Sequence, residues 1–292
     1  MTSGILNVNK TAGPSSFAVV RTLRKLPGVL KAGHGGTLDP AADGVLPILI
    51  NVATRLADFV HEWPKTYLAT VRFGFTSDTG DREGVITPSG DAKVISRDLI
   101  EAELPAFTGR IEQVPPVYSA LKQGGEPLYK KARRGEAVEQ RAREVEIFSI
   151  RLLDYDPTAT VARLEVNSGR GMYVRSLAHD LGVTLGCGAY LSGLTRSAVG
   201  PLTLTDAVPV AVLAAAGEGW TRWLLPMDLP LRDWPAVELD AAGASAVRRG
   251  QPVPAPNATA GRYRLLGPDG DLVAWGEADA SRRIRPRAVF AG

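Results

Sequence analysis

From Tyr67 onward the chain alternates, with Tyr67, Ala69, Val71, Phe73 and Phe75 on one side and Leu68, Thr70, Arg72 and Gly74 on the other. Successive side chains of a strand point to opposite faces, so this period of two predicts a strand that starts at Tyr67 and buries one face. A one-sided strand must sit in a sheet covered by a second layer, which restricts the fold more than any other segment does. Residues 4–8, 45–50, 145–153 and 161–166 read as further strands. Ser15-Ser16 caps a helix in which Val19, Val20, Leu23 and Leu26 recur at helical spacing until Pro27-Gly28 ends it, and residues 176–185 carry a second helical pattern. Strands and helices do not alternate strictly, so the reading is α+β and not a doubly wound sheet.

Two segments interrupt this pattern. Residues 114–143 lose clear periodicity and hold Pro115-Pro116 and Gly124-Gly125, which predicts a projecting insertion. Near residues 231–235 the composition changes, and beyond it come Pro252, Pro254, Pro256 and short strand candidates at 261–266 and 272–275 around the turn signal Pro268-Asp269-Gly270. The 292 residues therefore divide into a larger domain, 1–232, and a small β-rich one, 233–292. No apolar run approaches the roughly 18 residues that span a bilayer. Residues 1–8 lack the order of a signal peptide, and a single Cys187 makes no internal disulfide. The expectation is a cytoplasmic protein with no membrane partner.

Lys and Arg total 34 against 31 acids, a net of +3, too small to indicate a nucleic-acid partner by itself. Two clusters stand out. Arg21, Arg24, Lys25 and Lys31 lie in an acid-free stretch, 17–34, and residues 122–143 hold seven bases (Lys122, Lys130, Lys131, Arg133, Arg134, Arg141, Arg143) against Glu126, Glu136 and Glu139. Charge alone fits a solvated face as well as an RNA-binding one.

The loop Gly33-His34-Gly35-Gly36-Thr37-Leu38-Asp39-Pro40 is the most informative segment. Its glycines let backbone approach a ligand, and His34 offers a flat ring. It completes neither the phosphate-cradling nor the dinucleotide glycine pattern. Asp39 precedes Pro40, which favours an extended backbone, although a loop Asp also serves as a turn or cap residue. His34, His61 and His179 have no ligand spacing, residues 78–84 fail the acid spacing of a calcium loop and read as a turn, and no serine-hydrolase elbow occurs. In Gly171-Met172-Tyr173-Val174-Arg175-Ser176 an extended backbone would put Tyr173 and Arg175 on one face; the alternative is Tyr173 in the core and Arg175 reaching solvent.

Together, Gly-His-Gly-Gly-Thr-Leu-Asp-Pro (33–40), Lys-Thr-Tyr (65–67), Ser-Ala-Leu-Lys (119–122) and Gly-Met-Tyr-Val-Arg-Ser (171–176) closely resemble the bacterial TruB family of tRNA pseudouridine synthases, over nearly the whole chain. The resemblance implies a mixed-sheet α/β catalytic domain, with residues 114–143 as a thumb that closes on RNA and residues 233–292 as a PUA-like RNA-binding module. It makes Asp39 the catalytic aspartate, Tyr67 the tyrosine that stacks on the target base, and Arg175 the arginine paired with the aspartate. His34, Tyr173, Leu194 and Lys10 fall on substrate-contacting positions, and Lys122, Lys130, Lys131, Arg133 and Arg134 on the RNA-binding thumb. The partner implied is the T-arm of tRNA, with uridine 55 as target, for a monomer acting without guide RNA or cofactor. Departures are Asn9-Lys10-Thr11 where the family has Asp-Lys-Pro, and Gly35 where Thr or Ala is common.

Isomerising uridine to its C-glycoside involves no net redox change, so the missing cofactor motifs agree with this reading. A base in a folded RNA loop must be extruded at a few kcal/mol, which stacking worth roughly 1–3 kcal/mol per base can offset. A second class, a protein that grips a flipped base without chemistry, stays in view. Asp39 favours the enzyme, since stacking and phosphate contacts need no carboxylate.

Overall fold

The computed structural model describes residues 2–290 except 120, 124–125, 129–130, 132–133, 135, 137, 139 and 256. Strand β1 (Gly4–Lys10) is buried along nearly its whole length. Helix α1 (Ser16–Leu23) follows, the Ser15 hydroxyl accepting from the Ala18 amide at 3.2 Å, and buries Val19, Val20 and Leu23. β2 (Ala32–His34) leads through the glycine-rich loop into β3 (Asp43–Ile50), then come α2 (Ala57–Glu62) and β4 (Lys65–Phe73). β4 alternates as expected but starts at Lys65 and stops at Phe73, not at Phe75. Gly74, at φ +84°, turns the chain, and Phe75 opens a separate strand, β5 (Phe75–Ser77), paired with β6 (Ile86–Pro88).

Next are α3 (Arg97–Glu103), β7 (Gly109–Gln113), the short pair β8 (Lys122–Gln123) and β9 (Glu126–Pro127), β10 (Arg143–Asp156) and β11 (Val161–Ser168). α4 (Val174–Thr184), β12 (Ala189–Val199), β13 (Leu202–Thr203), β14 (Val208–Pro209), α5 (Val210–Ala215) and β15 (Leu224–Leu225) follow. The main sheet runs β14-β1-β3-β12-β4-β11-β10-β7, with β2, β13 and β15 added to β3, β12 and β1. β1–β14 and β3–β12 are parallel and the other pairs antiparallel, giving the mixed sheet expected of an α+β chain. Val71, Phe73, Leu164 and Val166 share one core with Leu177 and Leu181 of α4; Leu6, Leu46 and Ile48 share another with Val20 and Leu23 of α1.

The last segment forms a second sheet from β16 (Ala236–Glu238), β17 (Val253–Pro254), β18 (Gly261–Leu266), β19 (Leu272–Ala278) and β20 (Arg283–Val289), in the order β16-β18-β19-β20-β17. Gly270, at φ +78°, makes the foreseen turn. Sequence periodicity missed helix α6 (Ala241–Arg248), where Asp240 accepts from the Gly243 amide at 2.7 Å, and also β20, whose arginines alternate with few large apolar residues. This sheet is packed firmly on the first. Phe59 meets Trp234 and Trp275 edge-on at 5.3 and 5.7 Å, such pairs being worth about 0.5–1.5 kcal/mol each beyond area burial, and Leu272 and Phe290 join Ile5, Leu49 and Leu56 in one core. Among the described residues no helix is long and apolar enough to cross a membrane.

Candidate active site

The loop between β2 and β3 is fixed through its backbone. Every carbonyl from Gly36 to Ala42 accepts a hydrogen bond: Gly36 and Thr37 from Arg196, Leu38 from Ser16, Asp39 from the Ala42 amide, Pro40 from Lys10 and the Gly13 amide, Ala41 from Arg82, and Ala42 from Lys10. Buried carbonyls are costly to leave unpaired, so this set holds one loop conformation. Gly35 has a steric reason: a Cβ there would lie 2.3 Å from Val60 Cγ1.

The carboxylate that this loop presents meets an arginine. Arg175 Nη2 lies 2.9 Å from Asp39 Oδ2, with the arginine side chain 5% exposed and the aspartate 35%. Arg175 also donates to the carbonyls of Thr79 at 3.1 Å and Tyr118 at 3.0 Å. Its buried Nε, which makes no hydrogen bond among the described residues, is 3.7 Å from Asp81 Oδ2. α4 begins at Val174, so Arg175 stands in its first turn while Tyr173 before it is extended. The two therefore do not share a strand face, and Arg175 does not reach to solvent. They converge because the buried Gln113 clamps the Tyr173 backbone, accepting from its amide at 3.0 Å and donating to its carbonyl at 3.3 Å.

Asp39, Tyr67, Tyr173, Arg175, Leu194 and His34 line one cavity of about 650 Å³. Tyr67 projects from the buried face of β4, opposite Arg196 of β12 on one side and Val166 of β11 on the other. Leu194 sits two residues before Arg196 on β12. Burial, helped by His61 and Arg196, lowers the proton affinity of His34, and burial raises that of the Tyr173 hydroxyl. Among the described residues His34 Nδ1, which is buried, has no hydrogen-bond partner, a cost of about 1–3 kcal/mol that a ligand group could remove.

Lys10 is not where the substrate-contact expectation put it. Its side chain is fully buried, outside the cavity lining, and its ammonium donates to the carbonyls of Thr11 at 3.0 Å, Pro40 at 3.3 Å and Ala42 at 2.5 Å. Burial brings its pKa down to about 8 against the pull of Asp43 and Asp39. It braces the loop from beneath.

Family models match along the chain: TruB family pseudouridylate synthase (N terminal domain) over residues 24–174, tRNA pseudouridylate synthase B C-terminal domain over 175–232, and pseudouridine synthase II TruB, C-terminal over 235–290. The chain is 42% identical over 294 residues to tRNA pseudouridine synthase B of Syntrophomonas wolfei, covering 98% of each. This chain belongs to the TruB family. Another TruB relative, tRNA pseudouridine synthase B of Pseudomonas aeruginosa, is 42% identical, with 99% of this chain and 96% of the relative covered. In three dimensions the chain resembles one in a crystal structure of a Cbf5–Nop10–Gar1 complex, at TM-score 0.73 and 26% identity, covering 99% of this chain and 85% of the other.

In this TruB chain the basic insertion is only partly described. Lys130, Arg133 and the Lys122 side chain lie outside the described residues. Lys131 is half-buried, and Arg134 is exposed yet engaged, donating to both oxygens of Glu126 at 2.7 and 2.8 Å and to Glu136 at 2.6 Å. Sequence reasoning missed Asp81, Arg196 and Lys65. Asp81 sat in a segment read as a turn, which it is, but its 7% exposure marks a carboxylate with an inward task. Lys65, within the Lys-Thr-Tyr motif, is 5% exposed, and burial lowers its pKa to about 8.

Proposed function

We propose that this protein isomerises uridine 55 in the T-loop of tRNA to pseudouridine, with Asp39 as nucleophile, Arg175 as its buried partner and Tyr67 as the stacking surface and proton acceptor. The observation that carries the reading is the Asp39–Arg175 pair, 2.9 Å apart, opening into a cavity that Tyr67 lines. The reaction breaks the N1–C1′ bond, joins C1′ to C5, moves the C5 proton away and returns one to N1. No electron is gained or lost, so positioned acid, base and nucleophile suffice. The uridine flips out of the T-loop into the cavity, where the rings of Tyr67, Tyr173 and His34 replace the lost stacking.

Residues 114–143 act as the thumb and residues 233–292 as a further RNA-binding surface. The protein works in the cytoplasm as a monomer without guide RNA, and the curated tRNA pseudouridine synthase B relatives, which match almost end to end, support tRNA as its substrate. Incubating purified protein with an unmodified tRNA transcript, without added cofactor, and mapping pseudouridine tests the proposal. One modified T-loop position is the expected result. Bound tRNA that gains no pseudouridine would instead support a protein that grips RNA without chemistry.

A further inference from the structure

Among the described residues, Arg196 is a buried cation without a carboxylate partner. Its side chain is 1% exposed, and its hydrogen bonds go to main-chain carbonyls: Nε to Val45 at 2.7 Å, Nη1 to Thr37 at 3.1 Å and Nη2 to Gly36 at 3.1 Å. Among the described residues it forms no ion pair. Burying a guanidinium without a counter-ion is expensive, so its placement calls for a compensating role.

The sheet topology supplies one. The parallel pairing of β12 with β3 is confined to Thr195 opposite Asp43 and Arg196 opposite Gly44. At that crossing a Cβ on Gly44 would lie 2.2 Å from the Arg196 carbonyl oxygen, so the two backbones touch through a glycine at φ +105°. Beyond this point the strands part, and the Arg196 side chain continues the contact with its own N–H groups. One guanidinium, with donors fixed in a planar fork, ties three carbonyls from two segments to β12. The same residue stands opposite Tyr67 across the β12–β4 pair and two residues beyond Leu194.

We infer that Arg196 is a positioning residue for the reaction: it locks the Gly36–Thr37 segment, and hence Asp39, to the strand that also carries Leu194 and faces Tyr67. This rests on the function proposed above for the cavity. It sets nucleophile and stacking surface in one rigid frame, and a misplacement of about 1 Å in such a frame costs on the order of 10²-fold in rate. Charge alone does not provide this: a compact ammonium lacks the planar fork that spreads Nε, Nη1 and Nη2 between Val45 on one side and the Gly36–Thr37 segment on the other.

Arg196→Met and Arg196→Lys test the inference by two readouts. The first is amide hydrogen exchange. Leu38, whose amide donates to Ser16, and Ala42, whose amide donates to the Asp39 carbonyl, should exchange at least about tenfold faster in both variants, while β4 and α4 keep wild-type protection. The second is single-turnover pseudouridine formation, which should fall about 10²-fold in both while tRNA Kd stays within about threefold. Unchanged exchange at Leu38 and Ala42, or a Lys variant with wild-type rate, would overturn the inference. If Met at 196 prevents folding, the Lys variant carries the test alone. A wild-type protein that makes no pseudouridine would sink the proposed function instead, and the exchange readout would still judge the clamp.

Discussion

Arg175 is closed off from solvent while Asp39, 2.9 Å away, keeps about a third of its side chain open to the cavity. The pair is thus oriented, with the cation anchored in the protein and the anion presented to what enters. Four acceptors surround Arg175: Asp39, Asp81 and the carbonyls of Thr79 and Tyr118. The Tyr118 carbonyl belongs to the start of residues 114–143, so one guanidinium joins Asp39, the proposed nucleophile, to the base of the proposed thumb.

Asp81→Asn keeps the side chain's shape and its bond from the Glu83 amide but removes a negative charge 3.7 Å from Arg175 Nε. The guanidinium then leans more fully on Asp39 and makes it a poorer nucleophile. Single-turnover rate should fall about tenfold, the equivalent of about 1.4 kcal/mol, with tRNA affinity unchanged. A rate equal to wild type would show that Asp81 only shapes the turn.

Tyr67 combines a ring in the cavity lining with a hydroxyl. Tyr67→Leu removes both and should abolish most turnover. Tyr67→Phe keeps the stack, so tRNA binding should persist while the rate falls on the order of 10²–10⁴-fold if the hydroxyl moves the C5 proton. A Phe variant near wild-type rate would leave stacking as its single role.

Burial, with His61 and the Arg196 guanidinium nearby, lowers the affinity of His34 for a proton. Folding lowers its affinity for a proton, so the unfolded chain protonates first as pH falls below the ordinary value of 6.5. Its stability contribution is whole above that value and is lost as pH drops toward the lowered one. His34→Phe should therefore gain stability relative to wild type between pH 7.5 and 5.5, measured by thermal unfolding. It should also keep much of the activity, whereas His34→Ala should lose roughly 1–3 kcal/mol of stacking. Equal losses for Phe and Ala would argue against a stacking role.

Arg134 spends its fork on Glu126 and Glu136. It must trade those carboxylates for phosphate before it can contribute to RNA binding. Arg134→Ala alone should leave the salt dependence of tRNA binding almost unchanged, whereas Glu126→Gln with Glu136→Gln should release the arginine and steepen the slope by about 0.7. A slope that falls by that amount in Arg134→Ala would mean that the arginine already contacts RNA.

Tyr67 was legible because strand alternation is local, and the loop around Asp39 because a run of glycines before an Asp-Pro is uncommon chemistry. The pairing of Asp39 with Arg175 was implied by family resemblance and not by spacing, since it depends on Val174 starting a helix where an extended backbone was read. Asp81, Lys10 and Arg196 were illegible for a shared reason. A charged residue gives no sign in sequence of whether its charge faces water or an interior partner, which is a set of backbone carbonyls for Lys10 and Arg196 and the Arg175 guanidinium for Asp81, and all three are buried in the fold. Arg196 also lies on a strand whose register shifts at Leu191/Gly193 and Arg196/Ala198, which erases the alternation that would have marked it.

The central claim is that Asp39 is the nucleophile of an RNA isomerase. Its most direct test is tritium release from tRNA transcribed with 5-³H-uridine, measured under single-turnover conditions for wild type and Asp39→Asn, with Kd determined for both. The account predicts release by wild type from one T-loop uridine, none above background for Asp39→Asn, and equal tRNA affinity. Release by Asp39→Asn within tenfold of wild type would contradict it.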